Sequence, residues 1–142
     1  MPLQTVLRIT VLALALLPSL AQARILTIHD LAADPKRYDG KLVTVRAFAD
    51  FRPHRRILVQ SRELYNRQMT EAEAGRSCIE VYNTEVLYDS WHARIKRING
   101  HTLTVSGVFL ADKYDGGEGP DLFSCQVNKW AIAVEKLWRI DP

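Results

Sequence analysis

The sequence predicts a mostly β domain: a five-stranded Greek-key barrel, with one helix between its third and fourth strands and a short helix in front. Three observations carry this expectation. Short stretches with strand-type alternation or composition occur five times along the chain. Between the third and fourth of them the apolar period switches to a helical one, at Leu87, Trp91, Ile95 and Ile98. Gly107 then stands inside the fourth stretch, where a closing barrel needs a bulge or a sharp bend.

Ahead of the domain, Arg8 precedes an apolar run from Ile9 to Leu17, followed by Pro18-Ser19-Leu20 and the small-residue ending Ala21-Gln22-Ala23. That order of charge, apolar core and small residues is what a secretory signal peptide requires. The alternative, a membrane anchor, wants ~20 apolar residues, and the run is interrupted by Pro18 well before that length. The expectation is a signal peptide over residues 1–23, cleavage after Ala23, and a single periplasmic or secreted domain over residues 24–142. Taking 23 residues from 142 leaves 119, the size of one ordinary domain with its own core. No second long apolar run follows.

The elements follow in order. Thr27-Ile28-His29-Asp30 has the spacing of a capping box, and Ile28, Leu31 and Ala32 share one helical face, so a short helix is expected up to Pro35. Tyr38-Asp39-Gly40 reads as a turn. From Lys41 to Phe51, Val43, Val45, Ala47 and Ala49 face one way and Thr44, Arg46 and Asp50 the other. Leu42 and Phe48 interrupt the polar side, so part of that face should be covered as well. Arg52-Pro53-His54-Arg55-Arg56 is a short polar connection to a second strand, Ile57 to Gln60. Residues 61–77 are polar and irregular, with a helical turn at Thr70-Glu71-Ala72-Glu73 stopped by Gly75. Cys78 to Tyr82 is the third strand. A helix opens near Glu85 and stops at Asn99-Gly100. Leu103, Val105, Gly107 and Phe109 mark the fourth strand, residues 111–121 a Gly- and Asp-rich loop, and Trp130 to Ile140 the fifth.

Cys78 and Cys125 are the two cysteines, and in an oxidising compartment an even pair suggests a disulfide. Closing that loop is worth on the order of 4 kcal/mol in the chain-entropy model. The alternative is two separate buried thiols.

A helix between the third and fourth of five strands is the connectivity of the OB-fold. The stretch Ile28-His29-Asp30-Leu31-Ala32-Ala33-Asp34-Pro35, followed by Tyr38-Asp39-Gly40-Lys41-Leu42-Val43-Thr44-Val45, resembles the opening of small secreted bacterial OB-fold proteins. These have a short helix, a P-x-x-Y-D-G-K turn and a first barrel strand. Cys78-Ile79 and Leu103-Thr104-Val105-Ser106-Gly107 fall where such proteins carry their third and fourth strands. The resemblance implies a fold and no particular chemistry.

In that fold the loops joining strands 1–2 and 4–5 flank the usual ligand face. Here the first is basic, with Arg52, His54, Arg55 and Arg56, and the second acidic, with Asp112, Asp115, Glu118 and Asp121. A two-signed rim orients a charged partner; the plainer alternative is a pair of solvated turns. The acidic loop does not match the spacing of an EF-hand and contains Lys113, so no metal is expected there. His29, His54, His92 and His101 show no paired ligand spacing. No nucleophile elbow, P-loop or cofactor signature occurs, and no cofactor is expected. Arg94, Lys96 and Arg97 cluster at a helix C-terminus, where the helix dipole alone accounts for them. Of the aromatic residues, Phe48, Tyr65, Tyr82 and Phe109 are candidate stacking platforms. Phe109 shares the apolar side of its strand and Tyr82 the outward parity of Glu80, while Trp130 and Trp138 are placed to plug the barrel base.

After loss of Arg8 with the leader, 18 basic residues face 16 acidic ones, a net charge of +2. That balance argues against a dedicated duplex-DNA binder. The expectation is a non-enzymatic module that engages a protein or extended ligand through Arg52, His54, Arg55, Arg56, Tyr82, Asp112 and Asp115. Two alternatives stand beside it. One is a binder of an anionic ligand, single-stranded nucleic acid or acidic glycan. The other is a nuclease-like hydrolase, which would need Asp50, Glu80 and the 112–121 acids gathered at one site.

Overall fold

A computed structural model describes residues 24–52, 55–67, 69–83, 97–112, 125 and 130–142. The leader, His54, most of the helix expected from Thr84, and Asp115 with most of its loop lie outside the described residues.

The strands are β1 (Ile25–Leu26), β2 (Leu42–Asp50), β3 (Ile57–Val59), β4 (Cys78–Tyr82), β5 (Thr102–Leu110) and β6 (Ala131–Asp141). They run in the order β1-β2-β3-β4-β6-β5, and β5 pairs again with β2, which closes a five-stranded barrel. All barrel pairings are antiparallel except β4 with β6. The expected five-stranded, OB-fold-like Greek-key barrel is therefore present.

The closure has a definite stagger. Asp50 registers with Ile57, Ile57 with Glu80, Glu80 with Ala131 and Ala131 with Leu110. Extending the β5–β2 register from Leu42↔Val108 brings Leu110 back to position 40, ten residues from the start. A shear of ten tilts the five strands steeply and leaves an interior that side chains can fill.

Period-two alternation fills it. Val43, Val45, Ala47 and Ala49 point inward with Leu58, Ile79, Val81, Leu103, Val105, Phe109, Ile132 and Val134, and all are buried. Phe109 is 0% exposed, as its parity predicts, and packs against the ring of Trp130. β6 comes close at Gly107: a Cβ there would lie 2.3 Å from the carbonyl oxygen of Ala133. The register between β5 and β6 shifts beside it, so the expected irregularity sits on the strand facing the glycine.

Several local expectations need correction. Trp138 does not plug the barrel. It falls at a second register shift and is 58% exposed on the outer surface, where its Nε1–H donates to Ser106 Oγ at 2.6 Å. Leu42 is also exposed rather than covered. Pro35 does not simply end the first helix. Asp34 caps a second one, so α1 (Ile28–Ala33) is followed by α2 (Pro35–Tyr38), with proline in the first turn where its missing N–H costs nothing. Residues 61–77 hold two helices, α3 (Arg62–Asn66) and α4 (Glu71–Ser77), and α4 runs through Gly75. Both capping boxes, Thr27/Asp30 and Thr70/Glu73, are formed. β1 is too short to show any periodicity; it adds to β2 in parallel.

A second apolar cluster lies on the outside of the barrel: Phe48, Ile57, Val59, Cys78 and Cys125, covered by Leu64, Tyr65 and Met69. The disulfide Cys78–Cys125 belongs to it, with the two Cα atoms 5.6 Å apart. Phe48, the residue that interrupted the polar face of the first strand, is thereby covered, edge-on to Tyr65 at 5.2 Å.

Candidate functional site

The basic connection after β2 is built around Asp50. This residue is the last of β2 and faces outward, yet its side chain is only 1% exposed. Leaving the strand, the chain turns so that Arg55 N–H donates to the carbonyl of Arg52 at 2.9 Å, which brings both guanidiniums to the same carboxylate. Arg52 binds it bidentately, Nε to Oδ1 and Nη2 to Oδ2, each at 2.7 Å. Arg55 Nη1 donates to Oδ2 at 2.8 Å. Charge-assisted bonds of this geometry are the strong ones, and a buried carboxylate needs them.

The clamp is tied to its surroundings. The Arg52 guanidinium lies 4.6 Å from the Tyr65 ring centre and donates to the Tyr65 carbonyl at 3.2 Å. Its hydrogen bond to Asp50 raises it above the ordinary arginine value. Phe51 N–H donates to Asn99 Oδ1 at 2.8 Å, so the turn at Asn99-Gly100 holds the other side of the connection. Tyr65, weighed from sequence as a stacking platform, is thus a support for Arg52. The anchoring role of Asp50 is not conspicuous in the sequence. Its signal is an outward-facing acid at a strand end with arginines two and five residues later.

Of the other expected residues, Arg56 is exposed and its carbonyl accepts from Val81 N–H at 2.8 Å, which joins the connection to the end of β4. Tyr82, next along β4, is half-buried with outward parity. Asp112 is exposed two residues beyond β5. The register row Asp50–Ile57–Glu80–Ala131–Leu110 therefore runs from the base of the 51–56 connection to the base of the 111–130 connection. The structure brings Arg52 and Arg55 together, with Arg56 one residue before β3 and Tyr82 at the end of the adjoining β4, and places Asp112 beyond the far end of this row.

The face between the two connections is not open. Ile57 and Val59 point outward but are 1% and 0% exposed, packed with Cys125 and its disulfide. The chain itself occupies that surface, and what it presents is the rim. There Asp50 is met by Arg52 and Arg55, and Arg56 stands exposed beside them, one residue before β3. Both Asp50 oxygens are engaged by arginine, so they are not disposed to bind a metal. Among the described residues no three His, Cys, Asp or Glu side chains are gathered in a way that could hold one. Protein-family models and curated proteins give no match to this chain.

Proposed function

We propose that this chain is an exported, non-catalytic binding module of the OB-fold type. It engages a protein or an extended ligand through the rim formed by the basic 52–56 connection, Tyr82 and the acidic loop that begins at Asp112. Export rests on the leader pattern of residues 1–23, with cleavage after Ala23, and on the likeness of residues 28–45 to small secreted bacterial OB-fold proteins. A disulfide is compatible with an oxidising compartment.

The observation that carries the binding reading is the Asp50–Arg52–Arg55 clamp. It fixes an arginine-rich connection in one shape, and a surface ordered in advance loses less entropy on binding. The clamp also changes which residues test the idea. Replacing Arg52 or Arg55 unsettles the fold, so Arg56 and Tyr82 are the residues to probe. A photo-crosslinking amino acid at position 56 or 82 of the exported protein should give a discrete adduct, and one at Arg37 on α2 should not. Absence of an adduct at both rim positions would remove the rim from the account.

A further inference from the structure

The arginine at the start of α3 stands apart from the clamp. Arg62 has no acidic partner and no side-chain hydrogen bond among the described residues; its guanidinium lies over the Phe48 ring at 5.4 Å. It lines a groove of about 380 Å³ between the outer face of β2, the start of α3 and the start of β5. That volume is within the range of small-molecule sites.

The hydrogen-bonding inventory of this groove is one-sided. Gln60 Oε1 already accepts from His29 N–H at 3.1 Å, which leaves the amide NH₂ to donate. Ser61 Oγ accepts from Leu64 N–H at 3.4 Å, so its hydroxyl proton is available. Thr102 contributes a further hydroxyl from β5. Arg46 uses Nη2 for Asp141, at 2.9 Å, and keeps its remaining N–H groups. Thr27 and Pro142 also line the groove, and two carboxylates adjoin it among the described residues: Asp141 is shared between Arg46 and Arg139, and Asp30 is held by Arg24 and by the N–H and hydroxyl of Thr27. Among the side chains of Arg46, Gln60, Ser61, Arg62 and Thr102 donors outnumber acceptors, and neither carboxylate meets Arg62.

We propose that this groove is an oxyanion site. It takes a carboxylate or phosphate group carried on a small hydroxylated molecule, with Arg62 as the principal charge and Gln60, Ser61 and Thr102 as neutral donors. The groove is separate from the 52–56 connection and does not depend on the rim reading. A guanidinium that rests over an aromatic ring and has no acidic partner among the described residues keeps its N–H groups for bidentate recognition of such a group.

The test is titration of the full exported chain with glucuronate, glucose 6-phosphate and glucose, followed by amide shifts at Gln60, Ser61 and Thr102. The expected result is saturable binding of at least one anion, weakened by added salt, with glucose silent. Binding of only the uronate or only the phosphate supports the site and fixes its headgroup. Arg62→Gln should weaken binding at least about tenfold, the scale of one lost charged pairing. Arg62→Lys should recover part of it, and Arg37→Gln should change nothing. Arg62 is exposed, so its variants should unfold as the parent does. Failure of both anions to move the groove amides overturns the site, as does undiminished binding in Arg62→Gln or equal binding of glucose.

Discussion

Replacing Asp50 by asparagine separates a structural from a merely decorative role for the basic connection. The native carboxylate is 1% exposed and accepts three charge-assisted bonds of 2.7, 2.7 and 2.8 Å. Removing one partner of a buried ion pair costs about 3–5 kcal/mol when the remaining charge stays trapped. Here Arg52 and Arg55 are 42% and 22% exposed, so they can turn toward water and recover part of that. A loss of about 2–3 kcal/mol is expected, which for a domain of this size lowers Tm by about 10 °C. Urea unfolding of Asp50→Asn, Arg52→Met and the double variant measures it. The double variant should cost less than the sum of the singles by about 1–2 kcal/mol, because each single leaves a charge without its partner. Loss of less than about 0.5 kcal/mol in Asp50→Asn, the scale of an ordinary surface change, would refute the clamp.

Other outcomes follow from the same structure. Cys78→Ser/Cys125→Ser should lose about 4 kcal/mol in denaturant unfolding, since the bridge closes a loop with a sequence separation of 47. Gly107→Ala should destabilise by about 2 kcal/mol or more or shift β6, because its methyl would meet the Ala133 carbonyl; a neutral result would contradict the close approach. Glu73 is held down to about 2 by Arg67 and by the Thr70 backbone, below its ordinary value of 4.5. Its contribution is present above pH 4.5 and fades as pH falls toward 2, because the unfolded chain takes up the proton first. Asp30, lowered chiefly by the Thr27 backbone N–H, acts in the same sense. Glu73→Gln should flatten the acid limb of a stability–pH curve, and an unchanged limb would count against that pairing.

Much of the barrel was legible because alternation reports burial directly. Val43 to Ala49 and Leu103 to Phe109 were read correctly for this reason. Gly107 was expected to mark a bulge or bend of its own strand; the extra residue lies on β6 instead, and the glycine stands where the Ala133 carbonyl comes close. The site was less legible. Arg52 and Arg55 look like solvated turn residues until the turn folds them back onto Asp50, a contact set by geometry five residues long rather than by periodicity. Trp138 misled because register shifts in β6 break the parity that would have placed it. The second cluster was half-visible: Phe48 signalled a covered outer face, but only the fold shows Cys125 and Tyr65 doing the covering.

The rim account is tested most directly by Arg56→Glu combined with Tyr82→Ser in a chain that carries the photo-crosslinking amino acid at the exposed position 112, assayed for adduct alongside the unfolding midpoint. Neither substitution touches Asp50, so the account predicts loss of the adduct formed through the rim while the Asp50 clamp and cooperative unfolding persist. An adduct of undiminished yield in the folded double variant would contradict it.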